Sequence, residues 1–179
     1  MRTVPRRIVT GIKNGKSIIK EDAVVTNVYE HFPGLVISDI WVTDSMPARL
    51  DSEKIIENTA FPNTPANGSY FRYVQIPPDK DLGITAPAGQ PHPLMHQTDT
   101  LDYIVILSGQ IYLILEEGET LLQAGDIVIQ RATNHAWSNR SHGPCIQLAI
   151  LLDAKKKHFN ATALIAGPAP CHLLQEAPF

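Results

Sequence analysis

Cysteine, charge asymmetry and long apolar runs are all scarce in this chain, and each scarcity removes a class of protein. Its 179 residues hold two cysteines, Cys145 and Cys171. They form neither a redox nor a metal-binding spacing, so the default is a reduced cytosolic thiol pair. Fifteen Lys and Arg stand against 18 Asp and Glu, a formal net charge of −3. That balance gives no electrostatic reason to expect nucleic acid or an anionic membrane as partner. The one basic run, Lys155-Lys156-Lys157, reads as a solvated turn after a strand. Met1-Arg2-Thr3-Val4-Pro5-Arg6-Arg7 begins with charge but leads into no apolar signal core. No apolar run approaches the roughly 20 residues of a membrane-spanning helix. A soluble, cytoplasmic protein is expected. Apolar residues make up 44% and charged residues 18%, enough to fill the core of one globular domain.

Helical periodicity is also nearly missing, and short β-branched runs take its place. Residues 7–10, 17–19, 23–26 and 35–42 are such runs, each closed by Gly, Asn or Pro. Residues 46–68 are polar and rich in Pro and Asn, and read as a long surface loop. Strand-like runs then follow closely at 69–76, 102–107, 110–115, 120–123, 126–130 and 145–152. Many short strands joined by hairpin turns predict an all-β antiparallel sandwich or barrel. Period-2 spacing assigns Ile104, Ile106, Leu113, Leu115, Ile127 and Ile129 to one apolar layer. The tail from Lys155 reads as a short helix over 161–166 and a wrapping arm.

Two segments carry chemistry. The first runs Gly89-Gln-Pro-His92-Pro-Leu-Met-His96-Gln-Thr98-Asp-Thr-Leu-Asp102 and on to Gly109. If it is extended throughout, His96, Thr98, Asp102, Ile104 and Ile106 point one way, giving a polar mouth above an apolar floor. The second, from Gly125 to Asn139, gives a strand, a turn and His135 on the next strand, with Trp137 on the same face. A hairpin too short to separate the segments brings His96, Asp102 and His135 toward one point.

These segments resemble the paired motifs of the cupin superfamily, G-x5-H-x-H-x3-E-x6-G and G-x5-P-x-G-x2-H-x3-N. His96 matches the first histidine, and Asp102 stands at the glutamate with Gly109 seven residues on. Gly125, His135 and Asn139 match the second motif, and 15 residues separate Gly109 from Gly125. Motif coverage is 89–139, and the flanking strands from 69 to 152 agree in kind. Thr98 replaces the second histidine, Asp102 the glutamate and Arg131 the proline, and His135 arrives one residue early. The local wording, including Trp41-Val-Thr-Asp-Ser-Met-Pro-Ala48, is also similar to that of a little-characterised subgroup of single-domain cupins.

The resemblance implies a double-stranded β-helix, or jelly-roll, barrel forming one domain over 1–179. Within it, 1–50 would supply extra strands in dimer contact, 69–152 the barrel core and 153–179 a C-terminal arm. It implies a metal held by His96, Asp102 and His135, a set like the facial triad of non-haem iron, with zinc, manganese and nickel as other choices. Thr98 would orient a metal-bound water, and His92, on its Pro-flanked loop, would shuttle a proton. Trp137, Tyr73, Arg72 and Ile104 would line the substrate pocket. Arg72 and Arg131 suit a substrate carboxylate, although solvated surface is the ordinary reading of both. The implied function is a metal-dependent, lyase-type enzyme that decarboxylates or dehydrates an aromatic or polyketide-like molecule. The alternatives are an iron-dependent dioxygenase and a non-catalytic binding cupin that keeps these residues as hydrogen-bond partners without metal. A homodimer is expected, because the N-terminal runs exceed what one small barrel needs and sheet edges are normally paired or covered.

Overall fold

The computed structural model describes residues 4–50, 63–85 and 90–155. Part of the expected 46–68 loop, Gly89, Cys171 and the expected helix and arm beyond Lys155 lie outside the described residues. The chain forms β1 (Arg6–Lys13), β2 (Lys16–Val24), β3 (Val28–Phe32), β4 (Leu35–Thr43) and β5 (Ser69–Ile76). After a single 3-10 turn at Asp79–Leu82 come β6 (Thr100–Ser108), β7 (Gln110–Leu115) and β8 (Gly118–Gln123). β9 (Ile127–Arg131), β10 (His135–Ser138) and β11 (Cys145–Asp153) complete the fold.

Local chemistry fixes the turns. Asn14 and Gly15 both take positive φ between β1 and β2, the two-residue hairpin turn whose twist matches its strands. Gly109 alone joins β6 to β7 with φ of 76°; a Cβ there would lie 2.7 Å from the Pro144 carbonyl oxygen. Only glycine fits that corner.

Two sheets follow, a six-stranded one in the order β3-β4-β5-β11-β6-β9 and a three-stranded one in the order β10-β7-β8. Every pairing is antiparallel. Their facing sides close on a core of Ile76, Ile106, Ile111, Leu113, Leu122 and Cys145, with Val74, Val128 and Trp137 packed against it. Burying each large aliphatic side chain contributes about 1.5–3 kcal/mol, so this core holds the two sheets face to face. The β1–β2 hairpin forms a separate sheet, with Ile8, Ile12 and Ile19 exposed.

The expected apolar layer needs one correction. Ile104, Ile106 and Leu113 are buried, but Ile127 and Ile129 are 67% and 54% exposed, and Leu115 at the end of β7 is exposed too. Residues paired across a sheet share a face, and β9 pairs Val128 with Ile104 and Gln130 with Asp102. Its isoleucines therefore sit opposite Val105 and Tyr103 on the outer face. The alternation is as expected, with the opposite parity.

Candidate functional site

The polar end of the barrel is built by register. Across the six-stranded sheet, Tyr70 pairs with Leu151, Leu151 with Asp102 and Asp102 with Gln130. One step deeper run Asp39, Arg72, Ala149, Ile104 and Val128. His96 arrives differently from the expectation of one extended strand. It makes an isolated bridge with His135, each backbone N–H donating to the other's carbonyl at 2.8 and 2.9 Å. The chain then crosses to the six-stranded sheet at Thr100, so His96 belongs with β10 and Asp102 lies across the barrel from it.

The two imidazole rings lie 4.2 Å apart between centroids, and the Trp137 ring stands edge-on to His135 at 5.9 Å. His96 Nδ1 donates to the Leu94 carbonyl at 3.0 Å, and His135 Nδ1 to the Thr133 carbonyl at 2.9 Å. Carbonyl oxygens only accept, so Nδ1 carries a hydrogen in both rings, and a neutral ring so held keeps its lone pair on Nε2. Burial holds the His135 pKa down to about 4, against the raising effect of its Thr133 bond, and nearby His96 lowers it further. His135 is therefore neutral at physiological pH.

Gln130 completes the group, and sequence reasoning missed it. Its Nε2 donates to Asp102 Oδ2 at 3.1 Å and to His135 Nε2 at 3.0 Å. Gln130 and Asp102 are each 3% exposed, and Gln130 Oε1 and Asp102 Oδ1 are buried with no hydrogen-bond partner. Burial raises the Asp102 pKa, opposed by Thr100, Gln130, Arg72 and His96. Asp102 Oδ2 and His135 Nε2 lie at most about 6 Å apart. Among the described residues, however, no three His, Cys, Asp or Glu side chains meet around one point. The expected convergence reduces to the two imidazoles, because the Gln130 amide stands between Asp102 and His135. The signal for Gln130 was its even spacing from Val128, which the isoleucines of β9 masked.

Other expected site residues divide by face. Ile104 lies under Asp102, and Thr98 Oγ1 accepts a 2.8 Å bond from Thr100 Oγ1. Arg72 is inward and buried rather than solvated: its Nε donates to Asp39 Oδ1 at 2.6 Å, and its guanidinium lies 4.9 Å from the Tyr70 ring centre. Arg131 is exposed. Tyr73 is buried on the outer face, paired with Leu148 and Ser38, so it does not line the barrel. His92 is 5% exposed and lines a cleft of about 610 Å³ with Asp79, Ser138 and Arg140. Alternation along β10 puts Ser138 opposite His135 and Trp137, which separates His92 from the imidazole pair. Burial lowers the His92 pKa, with Asp79 raising and Arg140 lowering it. Asn139 braces the 139–143 turn, donating to the Gly143 carbonyl at 2.9 Å and accepting from Ser141 Oγ at 2.7 Å.

The donor set fits a divalent cation in chemical type. The neutral His135 ring and the neighbouring His96 ring each present Nε2 with Nδ1 locked on a backbone carbonyl, the usual arrangement of ligating histidines, and two buried oxygens lack donors.

The cupin domain family model matches residues 83–151. Phomopsin biosynthesis cluster protein C′ of Diaporthe leptostromiformis is 32% identical over 155 residues, covering 79% of this chain and 74% of the relative. The cupin-domain-containing oxidoreductase fogC of Aspergillus ruber is 28% identical, over 88% of this chain and 76% of the relative. An RmlC-like cupin with a double-stranded β-helix fold from Methanocaldococcus jannaschii aligns with a TM-score of 0.37 at 15% identity, covering 48% of this chain and 70% of that one. No helix among the described residues is long and apolar enough to cross a membrane. The chain is a member of the cupin family, related to proteins of fungal biosynthesis clusters.

Proposed function

We propose that the chain is a metal-dependent enzyme acting on a small organic molecule in the barrel mouth. The favoured step is decarboxylation or dehydration of an aromatic or polyketide-like substrate. One observation carries the reading: His96 and His135 lie side by side, each with Nδ1 on a backbone carbonyl and Nε2 turned away from it, and the Gln130 amide links His135 to the buried Asp102 carboxylate. His96, His135 and Asp102 would hold the cation. When bound, it supplies Lewis acidity, which stabilises negative charge developing on a carboxylate or enolate oxygen.

The protein's own residues do the rest. Trp137 walls the imidazole pair, and Ile104, Ile106 and Leu113 exclude water beneath it. Thr98 and Thr100 form a short hydroxyl chain beside Asp102 that suits an ordered water at the mouth. The biosynthesis-cluster relatives support a specialised metabolite as substrate. A second reading, an iron-dependent dioxygenase using the same residues, is favoured by the oxidoreductase names of the Aspergillus ruber and Hypocrea virens relatives.

Protein loaded in turn with Fe(II), Mn(II), Ni(II) or Zn(II) and offered a panel of aromatic and polyketide-type acids separates these readings. Release of CO₂ or water without oxygen uptake supports the lyase. Oxygen uptake matched to product makes the chain a dioxygenase, and binding without turnover makes it a carrier. The same reading extends to a homodimer, supported by the separate β1–β2 hairpin with its exposed Ile8, Ile12 and Ile19.

A further inference from the structure

We propose that Gln130 is a fourth ligand of the site, taking the place left open by Thr98, and that its amide is also the latch that closes the site without metal. This rests on the metal-dependent reading above. Gln130 is fixed on β9 opposite Asp102 and reaches His135 five residues on, past the turn at Ala132. Both hydrogens of its Nε2 are engaged, one on Asp102 Oδ2 and one on His135 Nε2. A cation needs that same His135 lone pair, so it must displace the amide hydrogen.

The atoms left over make the exchange productive. Gln130 Oε1 and Asp102 Oδ1 are buried without partners, although buried acceptors are ordinarily satisfied. Turning the amide end for end exchanges Nε2 for Oε1. A donor that holds two ligands together then becomes a carbonyl ligand beside them. In the latched state Nε2 bridges Asp102 and His135; in the loaded state Oε1 joins His96, His135 and Asp102. The amide is neutral, so the set carries one negative charge and leaves a divalent site net positive, suited to an anionic substrate oxygen.

Titration of metal-stripped protein with Co(II), read by visible absorption and calorimetry, tests this on wild type, Gln130→Ala and Gln130→Glu, with melting temperature as the check on folding. Gln130→Ala removes both latch and ligand, and is expected to weaken Co(II) binding about tenfold and to change the visible bands. Gln130→Glu cannot donate to Asp102 or His135 but can ligate. It is expected to melt lower without metal, to bind Co(II) at least tenfold more tightly, and to regain its melting temperature when loaded. If Gln130 only positions its neighbours as a donor, Gln130→Glu binds more weakly than wild type. If it is only a plug, Gln130→Ala binds as well as wild type or better. Either result overturns the proposal while leaving the metal site standing. Wild-type protein that binds no Co(II) overturns the metal-dependent reading itself, and this proposal with it.

Discussion

Replacing Asp39 by Ala tests whether Arg72 is part of the barrel's frame or a clamp for substrate. Asp39 and Arg72 are both buried and face the interior one row below Asp102. Their contact is uneven, with Nε to Oδ1 at 2.6 Å and NH2 to Oδ2 at 3.5 Å, so it is one strong bond and one marginal one. Breaking a buried pair by removing one partner costs about 3–5 kcal/mol, because the remaining charge stays desolvated. The Tyr70 ring returns only about 1 kcal/mol of that through its cation–π contact. For a chain of this size the loss corresponds to a fall in melting temperature of about 10 °C. The double variant Asp39→Leu with Arg72→Met removes both charges and should melt within a few degrees of wild type. Scanning calorimetry of the three proteins measures this directly. An Asp39→Ala protein as stable as the double variant would refute the reasoning, since no unpaired buried charge would then be present. Substrate turnover by the stable double variant settles the second role: an unchanged KM removes Arg72 from the pocket, and a raised KM keeps it there.

Metal-free protein should lose stability as pH falls from about 6.5 to 4. His135 has a folded pKa of about 4 against an unfolded value near 6.5, and the His92 pKa is lowered too. Both therefore bind protons more readily when unfolded, and His135 alone accounts for about 3 kcal/mol across that window. The raised Asp102 pKa works the other way, since protonation relieves its burial. Urea midpoints should fall on acidification in wild type and fall less in His135→Asn; equal slopes would count against a buried neutral His135. Sedimentation should give a dimer mass at micromolar concentration, and deletion of residues 1–24 should shift it toward monomer. A wild-type monomer would remove the homodimer.

The barrel was legible because its determinants are local. Alternation marked β5, β6, β7 and β11, while Gly109 and Gly125 marked corners where φ is positive. β3, reading Val-Tyr-Glu-His-Phe, was missed because its pattern has no apolar face. Two features depend on register between distant strands, which no local pattern carries. One is the parity of β9: both of its faces carry β-branched residues, and pairing with β6 decides that Gln130 faces inward. The other is the Asp39–Arg72 pair, placed by β4–β5 pairing up to the bulge between Asp39 and Trp41. His96 and His135 were found by motif spacing, although the bridge that joins them differs from the shared strand expected.

Metal content per chain is the most direct measurement of the central claim that the imidazole pair is a metal site. Elemental analysis of wild type and His135→Ala, both purified without added metal, compares the site with and without one imidazole. His135 contributes no side chain to the apolar core cluster, so the variant should keep its fold, checked by its far-ultraviolet dichroism. Close to one equivalent of a first-row divalent metal in wild type and almost none in His135→Ala is the predicted result. Equal metal content in the two proteins, or wild type that stays empty after incubation with Fe(II), Mn(II), Ni(II) and Zn(II), would contradict it.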